Sequence, residues 1–149
     1  MSSLTLVGSG IKTISHISKE ALVYIEKSDK VFYLINEPIL EEWIQKQNEN
    51  TTSLNHLYGK EPKRELTYEK LTAYILEQLH QGGNICVVLY GHPCVFAEPG
   101  LNAVIKAKQQ GYDAKVLPGI SAEDCLFADL LIDPGRYGCQ AFEATDFLA

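Results

Sequence analysis

An α/β fold with a mostly parallel sheet flanked by helices is predicted by this sequence, from three observations. Short apolar segments with the look of buried strands alternate with longer segments whose apolar residues recur at helical spacing. Three strand segments run directly into glycine- or proline-bearing turns, at residues 8–10, 91–96 and 118–123. The 149 residues, 46% hydrophobic and 21% charged, suffice for one domain with a sizeable core but not for two ordinary ones. Alternating strands and helices imply parallel strands joined by helical crossovers.

The elements follow in order. Residues 4–7 form a first strand, ended by Gly8-Ser9-Gly10. Ser18 can cap a helix that carries Ala21, Leu22 and Ile25 on one face and runs to about residue 28. Residues 31–35 are short, apolar and aromatic, which predicts a second strand. Pro38 suits the first turn of a helix with Leu40, Trp43 and Ile44 as its apolar stripe. The polar residues 47–52 predict a loop, 54–58 another strand, and 59–65 an irregular charged stretch in which Pro62 blocks regular structure. Thr67 begins a helix with Tyr68, Leu71, Ile75 and Leu79 at helical spacing, closed by Gly82-Gly83. A buried strand over 85–89, a helix over 99–110 ended by Gly111, and a strand near 114–117 come next. Ser121 and Asp124 give an S-x-x-D helix start, Asp133-Pro134-Gly135 a turn, and 140–143 a last strand. There is no internal repeat and no low-complexity segment.

Composition removes several classes. A net charge of −6 argues against a broad nucleic-acid footprint, which needs clustered Lys and Arg. No apolar run is long enough to cross a bilayer, and the N-terminus lacks the layout of a signal peptide, so a cytoplasmic protein is expected. Cys86, Cys94, Cys125 and Cys139 show no C-x-x-C pairing and no histidine at metal spacing. They are read as structural or incidental, with no metal site.

In open α/β sheets ligands collect beyond the carboxyl ends of the strands, so the three turns are expected to meet and form the site. A dinucleotide fingerprint fails in the first turn, because G-x-G-x-x-G would need glycine where Thr13 stands, and no Walker lysine follows. His92, wedged between Gly91 and Pro93, reads as a hydrogen-bonding wall more readily than as a base. Cys94 has no local partner for a nucleophile triad. Tyr58, Arg64, Tyr68 and Tyr90 admit two readings. They are aromatics beside a solvated charged loop, or a tyrosine–guanidinium group in which the cation favours a phenolate. An aromatic face at Tyr90 or Phe96 could also hold a small cation.

At these residues the chain resembles a known family. "LTLVGSGI", "YGHPCVF", "VLPGISAEDCLFADLLIDP" and "FEATDFL" resemble the tetrapyrrole-methylase-like (class III) methyltransferases, and within them the borosin peptide backbone α-N-methyltransferases. The match runs from Leu4 to Leu148. Precorrin methylases usually carry an aspartate in G-D-P where this chain has His92, which favours the borosin branch.

The resemblance implies S-adenosylmethionine as methyl donor, S-adenosylhomocysteine as product, and a peptide, fused or separate, as acceptor. Tyr90, His92, Val95, Phe96, Ser121 and Ala122 would line the cofactor pocket. Arg64 and Tyr68 match a catalytic pair, and Tyr58 and Tyr90 match tyrosines beside the reacting amide. Tyr68, activated by Arg64, would take the amide proton while Tyr58 or Tyr90 bonds the oxygen. The resemblance also implies a homodimer, and a second α/β half beyond Ala149, making residues 1–149 the N-terminal half of a two-half fold. Two alternatives stand beside it: a tetrapyrrole or small-molecule methylase, and a catalytically silent cofactor-binding or dimerisation module.

Overall fold

The computed structural model of the protein describes residues 1–59 and 63–148. Five strands form one sheet: β1 (Ser3–Gly8), β2 (Lys30–Leu34), β3 (Thr51–Ser53), β4 (Asn84–Leu89) and β5 (Asp113–Val116). Their order is β3-β2-β4-β1-β5, and every neighbouring pair is parallel. Central β4 is covered on both faces, which is why its sequence is a continuous apolar run rather than an alternating one.

Helices α1 (Lys19–Lys27) and α2 (Pro38–Gln47) cover one face, and α3 (Arg64–His80) and α4 (Glu98–Gln109) the other. Period-two alternation sorts the side chains between them. Ile85 and Val87 pack with Leu71, Ile75 and Leu79 of α3, whereas Cys86 and Val88 pack with Ile25 and Ile44 on the opposite side. Burial pushes the Cys86 thiol up to about 12, so it stays a neutral, space-filling group. Cys125 is half-buried, and Cys94 and Cys139 are exposed. Three short helices close the described chain: α5 (Ala122–Leu130), α6 (Pro134–Tyr137) and α7 (Ala144–Leu148).

The structure corrects four boundaries. The strand expected over 54–58 is instead one tight helical turn, Asn55–Leu57, and the true strand is β3, placed in the expected loop. Side-chain bonds favour the turn: the Asn55 amide donates to the distant Ile35 carbonyl at 2.6 Å, and the His56 ring bonds the nearby Ser53 carbonyl at 2.7 Å. Helix α3 begins at Arg64 rather than Thr67. The turn at Asp133 becomes α6, its first turn held by the Asp133 carboxylate accepting from the Gly135 N–H at 2.9 Å. Residues 140–143 form no strand: they lie outside the five-stranded sheet and lead irregularly into α7. The expected irregular stretch 59–65 lies partly outside the described residues, at 60–62.

The carboxyl ends of β1, β4 and β5 are locked together by backbone. Gly10 and Gly91 exchange N–H···O bonds at 3.2 and 3.1 Å, an isolated antiparallel bridge between the first two turns. The third turn arrives from β5, where Leu117 donates to the Leu6 carbonyl at 2.8 Å. Two glycines allow this approach. A Cβ on Gly8 would overlap the Gly91 carbonyl oxygen, and one on Gly119 would stand 2.9 Å from that same oxygen. Neither obstacle is a flexible side chain that can swing away.

Gly8→Ala is therefore expected to lower stability by about 1–3 kcal/mol, read as a lower urea midpoint, because backbone must move to admit the methyl. An unchanged midpoint would show that the turns have room to separate.

Candidate active site

Beside the converged turns lies a cavity of about 330 Å³, within the range of roughly 300–1,000 Å³ usual for small-molecule sites. Tyr90 to Phe96 supply one wall, Ser121, Ala122 and Glu123 a second, and Tyr58, Arg64 and Tyr68 overhang from the start of α3 and the turn before it. Ile11, Leu34, Pro99 and Gly100 complete it. All of Tyr58, Arg64, Tyr68, Tyr90, His92, Val95, Phe96, Ser121 and Ala122 thus face one space, although they lie up to 64 positions apart in sequence (Tyr58 to Ala122).

Each wall has a local cause. Strand β4 ends at Leu89, so Tyr90 leaves the sheet and is 53% exposed at the cavity mouth. The His92 Nδ1 accepts the Cys94 N–H at 3.0 Å, and its carbonyl accepts the Val95 N–H at 3.1 Å. His92 therefore braces the turn, as its flanking glycine and proline predict. Phe96 follows at φ 53°, a left-handed backbone unusual for an aromatic residue, and its ring is 57% exposed.

Ser121 caps α5 in a reciprocal box. Its hydroxyl accepts from the Asp124 N–H at 3.1 Å and donates to the Asp124 carboxylate at 2.8 Å, while its own N–H donates to that carboxylate at 2.7 Å. The Ser121 backbone N–H, then its hydroxyl, hold the Asp124 carboxyl below the usual carboxylate range. Ser121 is buried with its polar atoms committed to this box, so it shapes the wall more than it offers a ligand donor.

The tyrosine–guanidinium group is assembled by helical geometry. Arg64 and Tyr68 stand four residues apart on α3, one turn, and Arg64 Nε donates to the Tyr68 hydroxyl. The guanidinium carbon also lies 5.1 Å from the Tyr68 ring centre. The net effect differs from the simple electrostatic expectation. Burial raises the Tyr68 pKa, and Tyr58 beside it raises it further; together they outweigh the lowering by Arg64. Tyr68 thus rests as a phenol.

One partner of this group was not among the site residues expected from the sequence, although it lies within the motif FEATDFL. Glu143, 79 positions from Arg64, accepts from Arg64 Nη1 at 2.7 Å. A larger, more open cavity of about 790 Å³ adjoins the first and shares Ile11, Leu34, Tyr58 and Tyr90 with it. Its remaining walls are Thr13, Ile35, Asn36, Glu37 and Asn55, with Thr13 bonded to Glu37 through their side chains. Among the described residues no group of histidine, cysteine and carboxylate side chains could hold a metal ion, and no helix is long and apolar enough to cross a membrane.

This parallel-sheet fold is shared with known proteins. Residues 3–147 match the Tetrapyrrole (Corrin/Porphyrin) Methylases, and the chain belongs to that family. Within it, the chain is 47% identical over 146 residues to the methyltransferase/ribosomally synthesized cyclic peptide gymnopeptides precursor of Gymnopus fusipes, covering 98% of this chain and 35% of that protein. It is 44% identical, with the same coverage, to the corresponding lentinulin A precursor of Lentinula edodes. A type I borosin cyclic peptide precursor of Coprinopsis marcescibilis is 45% identical over 97% of this chain and 37% of its own length. The borosin resemblance carried by the sequence motifs thus has named counterparts, and the chain spans about a third of the length of these relatives.

Solved structures share the fold at lower identity. A diphthine synthase superposes with TM-score 0.70 and 17% identity, over 91% of this chain and 51% of that one. The uroporphyrin-III-C-methyltransferase of Thermus thermophilus gives 0.64 and 22%, over 88% and 53%.

Ser121→Ala removes the hydroxyl side of the α5 box and is expected to cost about 0.5–2 kcal/mol in urea unfolding. Asp124 adds stability at neutral pH that is lost as pH falls through its depressed folded-state pKa, since its pKa is lower folded than unfolded. Asp124→Asn should remove that part of the acid dependence. A pH–stability curve identical to wild type below neutrality would show that the carboxylate does not hold the cap.

Proposed function

We propose that the first cavity holds S-adenosylmethionine and that the protein methylates backbone amide nitrogens of a peptide. One observation carries this reading: the strand-end turns and the Tyr58–Arg64–Tyr68 group face the same cavity from opposite sides. A binding floor and proton-handling groups therefore share one space.

The residues present fit the cofactor. Exposed faces of Tyr90 and Phe96 suit an adenine ring or a sulfonium cation, and the turn between them offers backbone N–H and C=O groups. When bound, S-adenosylmethionine supplies the methyl group to the amide nitrogen and leaves as S-adenosylhomocysteine. The adjoining cavity suits the acceptor. It opens onto Tyr58 and Tyr90, and Thr13, Asn36 and Asn55 can bond a peptide backbone.

What the chain's own residues must do follows from amide chemistry. The nitrogen lone pair is delocalised into the carbonyl, so the N–H proton must leave as the new N–C bond forms. Tyr68, in its phenolate form, takes that proton in this reading, supported by the Arg64 Nε bond to its oxygen. The hydroxyls of Tyr58 and Tyr90 donate to the amide oxygen, where imidate-like charge collects. Holding donor and acceptor in line contributes much of the acceleration.

The charge pattern favours a peptide over a tetrapyrrole. Arg64 is the one Lys or Arg among the described residues lining the first cavity, where Glu123 opposes it, and the second holds Glu37 and no Lys or Arg. A polycarboxylate would meet little cationic surface. The same reading takes the protein as a cytoplasmic homodimer whose site is completed by a second α/β half. In support, Leu126, Leu130, Ile132 and Tyr137 leave apolar surface in water.

Incubation with a peptide and S-adenosylmethionine, followed by mass spectrometry, should show one added CH₂ per transfer. Tyr68→Phe should lower kcat by about 10²–10⁴-fold. Full turnover by that variant would remove Tyr68 as the base. Because the Tyr68 pKa lies above the ordinary tyrosine value and the phenolate is the active form, the rate should rise with pH through neutrality, by about tenfold per unit. A rate that falls over that range would make Tyr68 a hydrogen-bond donor instead.

A further inference from the structure

Arg64 occupies an awkward position. It is the first residue of α3, where the helix dipole disfavours a cation, and its N-cap Lys63 makes no side-chain capping bond. Its side chain is 48% exposed, free to choose among rotamers unless something fixes it. Glu143 is that restraint. It approaches from the segment before α7, and its Oε1 accepts from Nη1 while Nε points to the Tyr68 hydroxyl. The two ends of one planar guanidinium are therefore held by different partners, and fixing one aims the other.

Glu143 is itself well placed. Its carbonyl accepts the Phe147 N–H at 3.0 Å at the start of α7. The rings of Phe142 and Phe147 meet across that start, centres 5.5 Å apart, in the manner of a hydrophobic staple. A partly exposed ion pair of this kind contributes only about 0–1 kcal/mol to folding, so stability alone does not account for the arrangement.

We propose that Glu143 is a positioning residue of the site: it holds Arg64 against Tyr68 and offsets part of the guanidinium charge that Tyr68 feels. This rests on the reading of Tyr68 as the base. The consequence is a two-sided control of the phenol. The carboxylate keeps Arg64 in place, yet weakens its pull towards phenolate. Among the described residues, the other ionisable groups lining the cavities around Tyr68 are Tyr58, Tyr90, His92 and Glu123 in the first, and Glu65, Cys94 and Glu98 in the cleft that Tyr68 shares with Glu143. None of these bonds Arg64 in the way Glu143 does.

The test uses Glu143→Gln, which keeps an acceptor oxygen for Nη1 but removes the charge, and Glu143→Ala, which removes both. Tyrosines labelled at Cζ with carbon-13 are titrated by NMR, and Tyr68 is assigned by the resonance missing in Tyr68→Phe. Glu143→Gln should lower the Tyr68 titration midpoint at unchanged melting temperature, and the acid limb of the kcat profile should move down with it. Glu143→Ala should lose roughly a hundredfold in kcat, with the peptide KM little changed, as expected when a reacting group is misplaced. A Tyr68 titration identical in wild type and Glu143→Gln would overturn the proposal. That arm needs no turnover: a wild-type protein that methylates no peptide sinks the peptide-methylation reading, and the titration still decides the role of Glu143.

Discussion

The paired backbone bonds between Gly10 and Gly91 set the terms for everything above the sheet. They pull the turn after β1 onto the turn after β4, and the bare α-carbons of Gly8 and Gly119 let the turn after β5 close on the same carbonyl oxygen. Three loops that a parallel sheet would leave as separate ends become one floor. The walls follow from it, because Tyr90, His92 and Phe96 are carried by the bridged turn, and Ser121 stands two residues after Gly119, which packs against that turn. A side chain at Gly8 or Gly119 would separate floor from wall by displacing backbone.

Chemistry enters from the other direction, on helix α3. Its first two turns bring a guanidinium to a phenol, and the competition at that phenol decides what it can do. Burial and the neighbouring Tyr58 hold the proton on, and Arg64 draws it off, with the balance towards the protonated form. Such a group is a reluctant base at neutral pH and a strong one once ionised. The carboxylate of Glu143 sits behind the guanidinium and so acts on the phenol at one remove.

Much of this was legible in the order of residues. The alternation of buried runs and helical stripes fixes an α/β sheet, the continuous apolar run of β4 marks a central strand, and Ser121 with Asp124 spells out its own cap. The helical pairing of Arg64 with Tyr68 was not legible, because the sequence pattern starts that helix at Thr67 and leaves Arg64 in the irregular stretch, whereas the folded helix begins at Arg64. Short elements were less legible. The turn at Asn55 is won by an amide reaching a carbonyl 20 residues away, which no local pattern reveals. The strand expected at residues 140–143 is absent, and the segment stays outside the five-stranded sheet.

By itself the sequence determined the class of fold and the turns that lack bulk, because those depend on local periodicity and backbone freedom; the set of lining side chains came from the family resemblance of its motifs. Only the tertiary structure decided that the three turns meet, that burial overrides the guanidinium at Tyr68, and that Glu143 stands behind Arg64. Those outcomes depend on distances between residues far apart in the chain, and on how much water is left around them. Local pattern carries neither quantity.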